Sequence, residues 1–323
     1  MSAGRSPRSV VVVGPTASGK SALAMALAEL LGDAELVSVD SMQVYRRMDI
    51  GTATPSAEER ERVPHHLLDL LEPSEEGSAS WFQGEAIRTL DDLAASGRRA
   101  ILVGGTGLYH RAVVDRLQIP PQFPDLRAQL EADLAEADPA EADAPNGLAA
   151  LHARLAELDP LAASRTEPSN PRRILRALEV TLGSGRPFSS FGPGLEEYPP
   201  SEHLMVGLRP RREALAGRIA ERVEAMMRQG WLEEVESLLA EPLPLSRTAA
   251  QALGYRELIA HLGGACSLEA AVEETVVRTR QFAVRQDRWF RRDPRIRWYD
   301  VEGADPAETR SLAARIASTL EET

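Results

Sequence analysis

The sequence predicts an α/β fold with a core of the P-loop type, built on a doubly wound parallel sheet. An all-helical domain is inserted into this core. Three observations predict it: a β-branched run that ends in a glycine-rich loop, apolar strands that alternate with amphipathic helices, and a long middle segment with no strand pattern. The chain has 323 residues, of which 43% are hydrophobic, which is enough for one α/β core and a smaller second domain.

The core elements follow one another in order along the chain. The apolar run 9–13 lies before Gly14 and predicts a buried strand, and apolar residues at helical spacing predict a helix from Ser21 to Gly32. Further strands are predicted at 35–39, 100–103 and 204–208, and an amphipathic helix follows the last of them. This alternation indicates one parallel sheet.

The middle of the chain has a different pattern. Residues 119–200 contain proline-punctuated, alanine-rich segments with helical spacing at 125–136, 147–158 and 171–182. We therefore divide the chain into 1–118, the first part of the P-loop core; 119–200, the helical insertion; and 201–323, which completes the core. The last part contains a basic helix predicted over 268–292.

Charge and cysteine content limit the function classes. The formal net charge is -12, but eight arginines between 278 and 297 provide one basic segment that suits a phosphate-bearing partner. The single cysteine, Cys266, excludes an internal disulfide and a thiolate metal cluster. The longest apolar run is too short to cross a bilayer and no secretory signal follows Met1, so we expect a cytoplasmic protein without a membrane partner.

Residues 14–21 match the pattern GxxxxGK[ST] between a predicted strand and a predicted helix. Backbone N–H groups of such a loop and the following helix N-terminus bind phosphate oxygens, and Lys20, the only lysine of the chain, adds a compact charge. The Ser21 hydroxyl is the expected Mg²⁺ ligand. The residues expected at the diphosphate are Gly14, Pro15, Thr16, Ala17, Ser18, Gly19, Lys20 and Ser21.

The loop alone leaves the reaction open, because most P-loops bind ATP or GTP. Asp40, just after the predicted strand 35–39, fits the metal-binding aspartate of an ATPase, and it also fits a general base beside a bound diphosphate. A kinase that acts on a small molecule and a nucleotide-regulated binding protein without turnover are therefore the alternatives.

Seven further segments resemble motifs of the tRNA dimethylallyltransferases, and they occur in the family's order. They are DSMQVY at 40–45, MDIGTA at 48–53, PHHLLD at 64–69, GGTGLY at 104–109, RRILRALE at 172–179, LGYRE at 253–257, and RQF with RQ at 280–286. Together with the P-loop this combination is specific. Thr54 stands where the family usually has lysine, and Val284 where a basic residue is common. Neither position touches the P-loop or Asp40.

The resemblance implies transfer of a dimethylallyl group from dimethylallyl diphosphate to N6 of the adenosine at tRNA position 37, without ATP hydrolysis. It implies two catalytic residues, Asp40, which accepts a proton or hydrogen bond from the exocyclic amine, and Thr106, which orients the base. Lys20, the loop N–H groups and Mg²⁺ would stabilise the leaving diphosphate. Arg218 and Arg222, one helical turn apart, resemble the family's basic residues that reach the diphosphate.

The implied RNA partner is a tRNA anticodon stem-loop with adenosines at positions 36 to 38. The target base must leave the stacked loop, which requires contacts that hold the loop open. Residues expected at the tRNA are Asp40, Ser41, Met42, Gln43, Thr106, Arg127, Arg172, Arg173, Ile174, Leu175, Arg176, Gln251, Ala252, Leu253, Gly254, Tyr255 and Arg256. We expect the helical insertion to bind tRNA, the protein to be a monomer, and the acidic segment 138–143 to point away from RNA.

Overall fold

A computed structural model describes residues 9–136, 147–192, 194–302 and 305–321 of the chain. The acidic segment 138–143 lies outside the described residues. The strands are β1 Ser9–Val13, β2 Ala34–Ser38, β3 His65–His66, β4 Arg99–Val103, β5 Leu204–Pro210 and β6 Arg297–Val301. No helix in the described ranges is long and apolar enough to cross a membrane.

The α-helices divide into those of the core and those of the insertion. Core helices are α1 Lys20–Leu31, α2 Ala57–Arg62, α3 Ala79–Ala95, α4 Gly107–Val114, α9 Arg212–Arg228, α10 Trp231–Leu239, α11 Arg247–Ala250, α12 Tyr255–Leu262, α13 Leu268–Phe290 and α14 Pro306–Glu321. Insertion helices are α5 Pro124–Glu136, α6 Gly147–Leu158, α7 Pro160–Ser164 and α8 Pro171–Ser184. The chain divides into two compact units, of which the helical one is Arg116–Glu197.

The core unit contains a six-stranded sheet in the order β3-β2-β4-β1-β5-β6, in which every pair of neighbours is parallel. Strand β1 lies between β4 and β5, and its valines are fully buried because helices cover both faces. Val10 and Val12 pack with α1 and α14, whereas Val11 and Val13 face the other hydrophobic cluster. This is the doubly wound α/β fold that the sequence predicts.

Parallel strands place their carboxyl ends along one edge of the sheet. The loops after β1, β2 and β4 therefore leave this edge together. Their residues include the P-loop, Asp40 and Thr106, so the fold brings the three predicted parts of the site to one place.

Several elements of the core differ from the prediction. Strand β2 starts and ends one residue earlier than predicted, and α13 ends at Phe290 because Asp293 and Pro294 cannot extend it. The strands β3 and β6 were not predicted, and neither were the core helices α2, α3, α4, α10, α11, α12 and α14. Strand β3 has only two residues, and β6 is an edge strand whose outer positions are polar, so neither has a strong apolar pattern.

The helical unit has its own hydrophobic core, in which Leu130, Leu155, Ile174 and Leu178 are almost fully buried. Helix α8 starts with a side-chain cap, because Asn170 accepts a hydrogen bond from the N–H of Arg173, and Pro171 occupies the first turn. The range predicted for the helical insertion, 119–200, begins and ends three residues later than the observed helical unit. The short helix α7 was not predicted.

Candidate active site

The loop between β1 and α1 has the backbone shape of an anion-binding loop. Gly14 has φ 150°, and a Cβ there would come 2.8 Å from the carbonyl oxygen of Leu208, so the position requires glycine. Ala17 and Gly19 have φ 59° and 92°, which turns the chain sharply before α1 begins. The loop therefore ends at a helix N-terminus, where N–H groups and the helix dipole attract an anion.

Lys20 lies in this loop with its amine buried. Its Nζ donates a hydrogen bond to the carbonyl oxygen of Pro15 at 2.7 Å. Burial, and after it the charge of Arg222, lower the pKa of the amine to about 7, and the Asp40 carboxylate opposes this shift. An anion bound in the loop would restore the charged form, because it favours the ammonium over the neutral amine.

Arg222 of α9 adds to this positive charge, and Arg218 lies one turn earlier on the same helix. Burial lowers the pKa of Arg222, and the nearby Asp40 carboxylate opposes that effect. Arg218 has three guanidinium nitrogens that are shielded from solvent and have no hydrogen-bond partner within the described ranges. The carboxylates of Glu308 and Glu221 lie near enough to favour its charge without a hydrogen bond. Buried guanidinium donors without acceptors destabilise the protein, so these nitrogens are available to an anionic ligand.

Asp40 follows β2 at the carboxyl edge of the sheet and is half-buried. Its Oδ1 accepts a hydrogen bond from the N–H of Met42 at 2.9 Å, which fixes the orientation of the carboxylate. At the neighbouring strand, a Cβ on Gly104 would come 2.1 Å from the carbonyl oxygen of Val39, so this glycine lets the two loops approach closely.

Thr106 lies just before α4 and is connected to the residue after Asp40. Its Oγ1 accepts a hydrogen bond from the N–H of Ser41 at 3.2 Å and lies 3.4 Å from the Ser41 hydroxyl. The two residues predicted as catalytic thus lie on adjacent loops that Ser41 joins. This places a carboxylate and a hydroxyl beside the cationic loop.

Both polar atoms of the Gln43 amide form hydrogen bonds within the protein. Its oxygen accepts a hydrogen bond from the Ser38 hydroxyl at 2.7 Å, and its nitrogen donates to the carbonyl oxygens of Thr52 and Ala53 at 3.2 and 3.0 Å. Met42 is half-buried and packs against the core. The side chain of Gln43 therefore holds the 52–53 segment in place next to the predicted base pocket.

The arginines predicted for tRNA binding in the helical unit fall into two groups. Arg172 and Arg173 are exposed on the first turn of α8. Arg127 and Arg176 are half-buried and both pair with the buried Glu179, at 3.9 and 2.7 Å. The side chains of Ile174 and Leu175 lie in the core of this unit, so any part they take in RNA binding is through the arginines that they hold in place.

The segment 251–256 is also divided between exposed and buried residues. Gln251 and Arg256 are exposed, Leu253 is half-buried, and Ala252, Gly254 and Tyr255 are buried. Gly254 has φ 87°, and a Cβ there would come 2.0 Å from the Trp231 ring. The exposed side chains at the two ends are those available to a partner.

Two residues near the site were missed from the sequence. Glu234 accepts hydrogen bonds from the N–H groups of Asp49 and Ile50 and from the Tyr255 hydroxyl, at 2.9, 2.8 and 2.6 Å. A glutamate on an amphipathic helix is ordinarily expected to be solvent-exposed, so no signal in the sequence distinguishes Glu234. His110 is buried beside the site, and burial together with the charge of Lys20 lowers its pKa to about 3, so its ring is neutral.

For the predicted Mg²⁺, Ser21 is the one protein ligand that the sequence suggests. Ser21 is exposed on the first turn of α1, next to Lys20. The described ranges contain no group of three or more His, Cys, Asp or Glu residues that could hold a metal ion. Few protein ligands suit Mg²⁺, which usually keeps several waters and binds through substrate phosphates, and Ser21 stays the predicted protein ligand.

Comparison with known proteins agrees with this arrangement. A family model described as IPP transferase matches residues 43–293. A tRNA dimethylallyltransferase of Streptomyces coelicolor is 47% identical over 312 residues, covering 97% of this chain and 96% of the relative. One of Geobacter metallireducens is 47% identical over 298 residues, covering 92% and 93%.

Solved structures give the same result. The tRNA isopentenylpyrophosphate transferase of Bacillus halodurans is 36% identical, has a TM-score of 0.68, and is aligned over 98% of this chain and 97% of its own. A eukaryotic dimethylallyltransferase acting on tRNA is 26% identical with a TM-score of 0.75, over 96% of this chain and 77% of that one.

Proposed function

Because this chain belongs to the IPP transferase family, we propose that it transfers a dimethylallyl group from dimethylallyl diphosphate to N6 of the adenosine at tRNA position 37. The products are N6-(dimethylallyl)adenosine and diphosphate. The observation that carries the proposal is the set of buried cations, Lys20 and Arg222, whose charges act directly on the Asp40 carboxylate. This is a site for an anionic leaving group beside a base.

The diphosphate half of the site stabilises the departing group. As the allylic C–O bond breaks, its electron pair stays on the diphosphate oxygen, where negative charge grows. The donors that would bind it are Lys20, Arg218, Arg222 and those N–H groups of the loop 14–21 that the protein leaves free. The N–H groups of Thr16 and Ser18 already donate to Gln286 and to the carbonyl oxygen of Pro15. The Ser21 hydroxyl would hold Mg²⁺, which would neutralise part of the diphosphate charge when bound.

The acceptor half of the site orients the N6 amine and takes up its proton. The N6 nitrogen forms the new bond to the allylic carbon, and the proton that it loses passes to the Asp40 carboxylate. The hydrogen bond from the Met42 N–H holds Asp40 Oδ1, which leaves its second oxygen to face the amine. Thr106 and Ser41, which are hydrogen-bonded to each other next to Asp40, would orient the base.

The tRNA is the macromolecular partner in this proposal, and the relatives' name supports it. We propose that the bound region is an anticodon stem-loop with adenosines at positions 36 to 38. Exposed arginines such as Arg172, Arg173 and Arg256 would bind its phosphates. The reaction would take place in the cytoplasm, where tRNA is found, and the protein would act as a monomer, since one chain supplies every residue assigned to the site.

The experiment mixes the protein with Mg²⁺, radiolabelled dimethylallyl diphosphate and an unmodified tRNA with three adenosines at positions 36 to 38, and counts label in RNA. Asp40→Asn should reduce transfer by about 10²- to 10⁴-fold, the range for loss of a general base. Binding of dimethylallyl diphosphate should not weaken, because the substitution removes a negative charge beside Lys20. The control is Asp92→Asn, at an exposed position of α3.

The proposal fails if the wild-type protein labels no RNA and instead consumes ATP with a small-molecule acceptor, as the kinase alternative requires. If Asp40→Asn transfers normally at high Mg²⁺ and only loses Mg²⁺ affinity, the assignment of Asp40 as the base is wrong.

A further inference from the structure

Gln286, on α13, joins two loops of the site through one buried amide. Its Oε1 accepts a hydrogen bond from the backbone N–H of Thr16 at 2.8 Å, in the diphosphate loop. Its Nε2 donates to the carbonyl oxygen of Gly105 at 2.9 Å, in the loop that carries Thr106. The side chain is 5% exposed, so both hydrogen bonds are shielded from water.

The fit around this amide is close on the Gly105 side. A Cβ on Gly105 would come 2.1 Å from Gln286 Nε2, and a Cβ on Gly107 would come 2.1 Å from a ring carbon of Trp289. One face of α13 therefore contacts both residues that flank Thr106. The two glycines are needed for this approach, since any side chain at either position would meet the helix.

We propose that Gln286 is a positioning residue, which sets the distance between the diphosphate loop and the Thr106 loop and so aligns the donor carbon with the acceptor amine. This inference rests on the proposed function, because it concerns the same site. Gln286 contacts neither substrate: its two polar atoms are occupied by the protein backbone.

The physical reason is that the transfer reaction depends on the approach of two separately bound groups. Reacting atoms must be about 3 to 3.5 Å apart and aligned, and a misplacement of about 1 Å reduces the rate by about 10²-fold. The donor is held through the loop that contains Thr16, whereas the acceptor base is held through Asp40 and Thr106. A rigid amide with fixed separation between Oε1 and Nε2 is a spacer between these two parts.

The test measures the single-turnover rate with both substrates saturating, together with the separate affinities for dimethylallyl diphosphate and tRNA. Gln286→Met removes both hydrogen bonds at similar volume. Gly105→Ala displaces the same amide from the other side, and because Nε2 is the end of a flexible side chain, the loop itself can stay in place. The matched control is Gln281→Met, at an exposed glutamine of the same helix.

Each of the two substitutions should lower the saturating rate by about 30- to 100-fold, with both affinities within about threefold of wild type. Because they break one bridge, the double variant should be no slower than the slower single variant. Gln281→Met should match wild type. Thermal unfolding and active-site titration with dimethylallyl diphosphate exclude loss of folded protein as the cause.

The inference is overturned if folded Gln286→Met and Gly105→Ala keep the wild-type rate, if they weaken only dimethylallyl diphosphate binding, or if their effects multiply. Failure of the proposed function is a different result, in which the wild-type protein itself transfers no label to RNA.

Discussion

The cations at the phosphate loop and the arginines of the helical unit are surrounded in opposite ways. On α9, the guanidinium of Arg218 is buried without a hydrogen-bond partner in the described ranges, and at the loop the amine of Lys20 donates to a backbone carbonyl. In the helical unit, Arg127 and Arg176 both pair with the buried Glu179. Buried cations that are not hydrogen-bonded to a carboxylate indicate a ligand site, whereas cations that are paired with a buried carboxylate stabilise the fold first.

The segment 251–256 resembles the helical unit in one respect: its arginine is paired with a buried carboxylate. Arg256 and Arg278 both pair with the buried Glu257, at 2.6 and 3.3 Å. Glu257 also accepts a hydrogen bond from the N–H of Gly254. These arginines therefore hold the loop that the sequence assigns to tRNA, whatever further contact they make with a partner.

The largest expected effect concerns Arg218→Met. Affinity for dimethylallyl diphosphate should fall by about 10- to 100-fold, because a charge-assisted contact to the leaving group is lost. The free protein should become more stable by about 1 kcal/mol, because an unsatisfied buried group is replaced by an apolar side chain of similar length. Calorimetric binding and urea unfolding measure the two changes.

The control for this substitution is Arg212→Met, at an exposed position of the same helix, which should change neither quantity. If Arg218→Met destabilises the protein and leaves diphosphate binding unchanged, Arg218 belongs with the structural arginines and the comparison is broken.

The second effect is opposite in sign. Arg176→Met should destabilise the protein by about 2 kcal/mol, because the buried Glu179 carboxylate loses its closest cation and Pro120 loses a hydrogen bond. Urea unfolding that follows the helical unit measures this. Arg172→Met, exposed one turn earlier on α8, is the matched control. Unchanged stability in Arg176→Met would show that the pair with Glu179 contributes nothing to the fold.

The smallest effect is expected for the exposed arginines of α8. Arg172→Ala or Arg173→Ala should weaken tRNA binding about threefold and reduce the slope of log affinity against log salt by about 1, since each removes one phosphate contact. Stability should stay at the wild-type value. Filter binding at several salt concentrations gives both numbers. An unchanged slope in both variants would move the RNA contact away from this turn.

The fold class and the position of the site follow from short-range signals. The pattern of residues 14–21 after an apolar run identifies the loop, and the ends of β2 and β4 locate Asp40 and Thr106, because parallel strands end at one edge. The IPP transferase match begins at residue 43, after Asp40. The P-loop and Asp40 therefore lie before the part of the chain that this family model matches.

What the sequence could not predict depends on contacts between distant segments. Whether an arginine is paired depends on the carboxylates that the fold brings to it, so Arg218 and Arg176 look alike in the sequence. Gln286 lies in a recognised motif, but its role depends on the backbone groups of Thr16 and Gly105, which are far away along the chain. Glu234 looks like a surface glutamate until the loop 49–51 folds onto it.

The central claim is that the buried cations at the loop bind the diphosphate, and its most direct test is the uptake of protons on binding. In the free protein burial lowers the pKa of Lys20 from 10.5 to about 7, and a bound diphosphate raises it again by favouring the ammonium form. At a pH between the pKa of Lys20 in the free protein and its pKa in the complex, binding must therefore take up a proton and must weaken as the pH rises.

The measurement is calorimetric titration of dimethylallyl diphosphate at pH 7.5 in buffers of different ionisation enthalpy, for wild type and for Lys20→Arg, whose side chain stays charged. The account predicts that wild type takes up about three-quarters of a proton more than Lys20→Arg. Equal proton uptake by the two proteins would contradict it, because Lys20 would then already carry its charge before the diphosphate arrives.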